Sequence, residues 1–147
     1  MNITMVFYAA LAVLAGALIP VMAKMNASLA GAYSNIPFAA FVLLLVGTLA
    51  AGAVLVLSGS GVPRTVPDVP KMYLLAGLVV AFYILAVTFL VPRFGIGNTI
   101  IFVVAAQVIS AAVIDHFGLL NTPISPVTVQ RLIGIALIFL GVYWARS

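Results

Sequence analysis

The sequence contains no cysteine, which excludes disulfides, thiolate nucleophiles, zinc–thiolate sites and iron–sulfur clusters. One histidine and two aspartates are too few for a dedicated metal cage, so no metal is expected. Charge is scarce as well: 5% of residues are charged, where a soluble domain carries about a quarter. With 66% of residues hydrophobic and a mean hydropathy of +1.38, the chain cannot cover a water-facing surface, and the soluble classes fall away. The net charge of +4 comes without any basic cluster, which argues against a nucleic-acid partner. No nucleophile–His–acid arrangement is apparent, and Gly95-x-Gly97 lacks the strand and third glycine of a dinucleotide fold. Neither enzyme activity nor a cofactor is expected.

What the chain does have is apolar length. A spanning helix takes about 20 apolar residues, and the scattered charges cut the sequence into five pieces of that size, over 3–30, 38–57, 72–91, 98–114 and 127–144. The first is read as a retained helix rather than a signal peptide, because no Lys or Arg precedes it and its apolar run is too long. Gly31 to Pro37 reads as a tight connection, and the stretch from Ser58 to Lys71, rich in glycine, serine and proline, as an aqueous loop. Asn98 or Thr99 is expected to cap the fourth helix and Gly118 to stop it. Tyr8, Tyr33, Tyr73, Tyr143 and Trp144 sit near span ends, as an aromatic belt requires. The fold class is therefore an all-α integral membrane protein with five transmembrane helices in one domain, in contact with membrane lipid.

Five spans place the termini on opposite sides, so positive charges can be counted by side. Arg64, Lys71 and Arg131 fall on the N-terminal side and Arg93 and Arg146 on the other, with Lys24 set aside as lying near or within the first span. So small a bias points to insertion in both orientations, or dual topology. Two oppositely oriented copies would build a ten-helix antiparallel dimer, an inverted repeat suited to transport. No repeat is evident within the chain, so the second half would come from a homodimer partner or a paralogous subunit.

Pro92-Arg93-Phe94-Gly95, Gln107, Ile114-Asp115-His116-Phe117-Gly118-Leu119, Arg131 and Gly134 follow one another in the C-terminal half, and the first helix carries a proline followed by Asn26-Ala27-x-Leu29. In these features the chain resembles the YdcZ-like family of inner-membrane exporters within the drug/metabolite transporter superfamily, over nearly its whole length. The resemblance implies a five-helix protein of the bacterial inner (plasma) membrane that carries a small-molecule substrate. Family members commonly have an uncharged residue or glutamine near position 24, whereas this chain has Lys24, which puts a shared substrate in question. The final helix is also similar to the dimerising helix of small multidrug resistance transporters, which implies that Gly134 and Gly141 belong to a dimer interface. The acidic residue of that relative's first helix has no counterpart here.

Lys24, Asn26 and Gln107 are the candidate substrate-binding or cavity residues. An ammonium in hydrocarbon costs at least about 2.5 kcal/mol unless it snorkels or faces a polar cavity, so Lys24 either reaches the headgroups or binds an anionic or zwitterionic substrate. Asn26 and Gln107 carry amides that either bond across helices or line the cavity, and for Gln107 the family resemblance favours the cavity. Asp115, His116 and Arg131 are candidates for a gate or a structural network. Asp115 and His116 are adjacent and point about 100° apart on a helix, so they are not expected to pair. Asp115 is expected to bond the loop backbone or Arg131, and the functional alternative is a gate or proton site, for which a histidine is suited. The functional expectation is a small-molecule exporter working by alternating access as an antiparallel dimer; the alternative is an accessory subunit that transports nothing itself and stabilises or regulates a larger membrane complex.

Overall fold

A computed structural model describes residues 3–59 and 70–145. Most of the expected aqueous loop, with Arg64, and the C-terminal Arg146 lie outside the described residues. Every described element is helical: α1 (Ile3–Tyr33), α2 (Ile36–Leu57), a short tight turn of helix (Lys71–Leu75) leading into α3 (Ala76–Phe94), α4 (Ile96–Phe117), a second tight turn (Leu119–Asn121) and α5 (Val129–Ala145). A chain in lipid must satisfy its backbone internally, and continuous apolar runs do so as helices. Four of these, α1, α2, Lys71–Phe94 and α4, are long and apolar enough to cross a membrane, while α5 is an apolar helix of 17 residues.

α1 runs unbroken through Pro20, as a span over 3–30 requires, while α3 runs past its expected stop at Val91, with Pro92 inside it, and continues to Phe94. Each proline costs one helical hydrogen bond, to the carbonyl four residues earlier, and at Pro92 only the last turn is affected. The expected connection over Gly31–Pro37 contracts to Ser34 and Asn35, with Pro37 in the first turn of α2, where its missing N–H is no loss. α4 begins at Ile96 on an uncapped Gly95, so neither Asn98 nor Thr99 caps it. Both side chains instead donate backwards within the helix, Asn98 Nδ2 to the Phe94 carbonyl at 3.1 Å and Thr99 Oγ1 to the Gly95 carbonyl at 2.7 Å. By starting two residues earlier than expected, α4 has placed both past the cap position.

The chain divides into two compact units, Met1–Arg93 and Phe94–Ser147. In the first, α1 packs on α2 through a turn of defined geometry. The Ser34 N–H donates to the Gly31 carbonyl and the Asn35 N–H to the Ala30 carbonyl, the paired bonds of a Schellman motif with Ser34 in the left-handed position at φ 50°. Asn35 then caps α2, its Oδ1 accepting from the Phe38 N–H at 2.9 Å, and the Tyr33 and Phe38 rings meet across the turn at 4.9 Å. The buried apolar residues among those described are mostly alanines, including Ala23, Ala27 and Ala30 on one face of α1 and Ala39 and Ala40 on α2. Small side chains let helices approach closely, which is how contact is made where the surrounding lipid is as apolar as leucine.

In the second unit α4 and α5 form an antiparallel hairpin. The end of α4, at Ala112 and His116, shares a groove with Val127, just before α5, and Leu132 in its first turn, while Ile100 and Val104 share another with Ile138, Gly141 and Ala145 at its end. Gly118 ends α4 at φ 61°, with its N–H donating to the Ile114 carbonyl. The connection then folds back on the last turn of α4: the Ser125 N–H donates to the Asp115 carbonyl at 2.8 Å and the Val127 N–H to His116 Nδ1 at 3.1 Å.

Candidate functional site

A groove of about 260 Å³ opens between the ends of α1 and α3 and the start of α2. Ala27, Ala30 and Gly31 give it a floor of small residues, Ile36 and Pro92 add apolar wall, and Ser34, Thr88 and Arg93 supply its polar groups. At its base Asn26, 4% exposed, donates from Nδ2 to Thr88 Oγ1 at 2.6 Å, and Thr88, 2% exposed, donates in turn to the Ile84 carbonyl at 2.7 Å. This chain of bonds ties α1 to α3 with the two helices running in the same direction. Thr88 Oγ1 is already both donor and acceptor, so the pair acts as a brace beneath the groove, and the Asn26 amide nitrogen is turned to protein.

Arg93 closes the rim. Its Nη1 donates to the Phe89 carbonyl at 2.8 Å and its Cζ lies 3.8 Å from the centre of the Phe89 ring, so the guanidinium is held flat by a hydrogen bond and a cation–π contact. Five N–H donors belong to a guanidinium. From sequence, Arg93 reads as the close of a span and as part of the family pattern, without a site role; the available signal was a cation directly after Pro92 at the close of a charge-free run.

Lys24 lies on α1 below this groove. It is exposed and has no ionic or hydrogen-bonding partner among the described residues. Spacings of three and seven put Ala27 and Gly31 on the same side of α1 as Lys24, so the groove-lining face continues down the helix to the ammonium. Gln107, on α4 in the other unit, is exposed at the helix midpoint and also has no hydrogen-bond partner among the described residues.

Asp115, His116 and Arg131 come together at the closed end of the α4–α5 hairpin. Arg131 Nη2 donates to Asp115 Oδ2 at 2.8 Å, with both side chains about one-third exposed. His116 uses Nδ1 to accept the Val127 N–H, and its ring meets Phe117 edge-on at 4.7 Å. An apolar groove of about 450 Å³ adjoins the histidine, lined by Ile109, Val113, Leu132 and Ile135 among others. On α5, a Cβ added at Gly134 or Gly141 would meet nothing within 4 Å. Among the described residues no three His, Cys, Asp or Glu side chains group to hold a metal.

A family model described as "Putative inner membrane exporter, YdcZ" matches residues 7–144. No curated protein and no solved structure matches the chain.

Proposed function

This chain belongs to the YdcZ family of inner-membrane exporters, a family of transporters rather than enzymes, and from that premise we propose that it exports a small molecule by alternating access as one half of an antiparallel dimer. The partner is a second copy or a paralogous subunit in the opposite orientation. The observation that carries the dimer is the pair of uncovered polar side chains, Lys24 and Gln107, on helices long and apolar enough to span. A bare amide or ammonium facing acyl chains is costly, so each calls for a protein partner or a watered cavity, which the dimer reading provides.

Two further features support the reading. α5 retraces α4 from the level of Ala112 to the level of Ile100, roughly 18 Å by helical rise, which supports reading α5 as a fifth crossing beside α4. The depth of Lys24 can be read against α2, which is free of charge from Ile36 to Leu57 and tied to the end of α1 by the two-residue turn. Counting down from Tyr33, Lys24 lies roughly 14 Å along α1, about half of a hydrocarbon core of ~30 Å. That is beyond the reach of a lysine stem to the headgroups at that end, which favours a cavity over the interface.

Cross-linking tests the pairing, and the natural absence of cysteine makes it clean. Gly134→Cys and Gly141→Cys chains are co-expressed and oxidised in native membranes. If α5 packs on an antiparallel α5, mixed 134–141 disulfides form and 134–134 and 141–141 bridges do not, since a bridge needs Cα atoms within about 7 Å. Bridges at both 134–134 and 141–141 without mixed ones would show parallel pairing and defeat the inverted repeat.

A further inference from the structure

We infer that the molecule bound in the α1–α3 groove is an organic anion with an apolar body, held at its charged end by Arg93 and drawn inward by Lys24. The inference rests on the exporter reading and adds to it a substrate class and a second binding residue, Arg93. The charges of the first unit carry it. The only acids in the whole sequence are Asp68 and Asp115; the first lies outside the described residues and the second belongs to the other unit. The groove is lined by one charged side chain, Arg93, with Lys24 further along the same face of α1, and the described residues of Met1–Arg93 include no carboxylate. A cationic site with no acid among the described residues of its unit repels a lipophilic cation and attracts an anion.

Arg93 is also prepared for such a ligand. One donor is committed to the Phe89 carbonyl and the plane is stacked on the Phe89 ring, which orders the side chain while leaving further N–H groups for a planar or tetrahedral oxyanion. From the rim, the helical face bearing Gly31 and Ala27 leads to Lys24, about 10 Å deeper by helical rise. The walls between are Ala27, Ala30, Gly31, Ile36 and Pro92, which offer van der Waals contact and few hydrogen bonds. With about 260 Å³ available, the ligand is small: a carboxylate or phosphate monoester on a compact hydrocarbon fits, and a peptide does not.

The test uses benzoate, salicylate and phenyl phosphate as anion probes and tetraphenylphosphonium as the cation probe. Purified protein in a maltoside detergent, which contains no phosphate, is titrated with each while thermal unfolding is followed; the same probes are then assayed for counterflow in proteoliposomes. The expected result is saturable stabilisation by at least one anion probe, an apparent affinity at least about tenfold weaker in Arg93→Gln and in Lys24→Gln, and partial recovery in Arg93→Lys, with size-exclusion profiles showing that the variants are folded. Stabilisation by no anion probe, or by tetraphenylphosphonium without dependence on Arg93, overturns the anion class. Arg93-dependent stabilisation by added phosphatidylglycerol but by none of the soluble probes also overturns it, by assigning Arg93 to lipid headgroups. Arg93-dependent anion binding with no counterflow leaves the anion site standing and removes the exporter reading; counterflow of the cation alone does the reverse.

Discussion

Arg131 reaches back sixteen residues to place Nη2 2.8 Å from Asp115 Oδ2, while the backbone carbonyl of the same aspartate accepts the Ser125 N–H. One residue thus anchors both the connection after α4 and the first turn of α5. Both side chains are about one-third exposed, so solvent screens the pair and its worth in stability is held to about 1 kcal/mol or less. Asp115→Asn and Arg131→Gln should each lower stability by no more than that in detergent unfolding, and the double variant should be no worse than the sum. A loss of several kcal/mol from either single change would show the pair to be effectively buried in an assembly.

The Asn26–Thr88 bond should respond differently because both partners are buried. Thr88→Val leaves the Asn26 amide without its acceptor, a loss of about 1–2 kcal/mol, whereas Asn26→Leu with Thr88→Val removes both polar groups and should recover much of it. A double variant as unstable as the sum of the singles would contradict the brace. Unfolding midpoints of the four proteins in one detergent decide it.

Gly118 is required by geometry at two levels. Its φ of 61° is left-handed, and a Cβ there would lie 2.7 Å from Ile124 Cγ1. Gly118→Ala should cost at least about 1–2 kcal/mol from backbone strain alone. Adding Ile124→Ala removes the clash and should return only part of the loss, because the backbone strain persists; full recovery would show that φ relaxes.

Ser34 occupies the same kind of position at φ 50° without being glycine. Ser34→Gly should raise stability by a few tenths to about 1 kcal/mol, since glycine enters this region without a Cβ penalty. A destabilised variant would mean that the Ser34 hydroxyl makes a contact worth more than the strain.

The helices were legible in the sequence for a physical reason: lipid leaves a long apolar run no alternative to satisfying its own backbone. Boundaries were less so. Proline marks a helix end in water, yet here α3 ran through Pro92, and with it Arg93 became part of a groove wall instead of a trailing charge. Asn98 and Thr99 carry the chemistry of caps, but their role depends on which residue starts α4, and Gly95 starts it earlier than the polar residues suggest. Lys24 was visible as a cost without a solution, because its depth depends on how α2 is joined to α1. The Schellman turn at Ser34 was hidden altogether, since serine gives no sign of a positive φ.

Antiparallel pairing by dual topology is most directly tested by sidedness. Asn2→Cys and Ser147→Cys are introduced singly into the cysteine-free chain and labelled with a membrane-impermeant maleimide, in intact cells and in inverted vesicles. Comparable labelling of each site in both preparations is the expected result, as two populations of opposite orientation require. Labelling of each site in one preparation only would contradict a homodimeric inverted repeat.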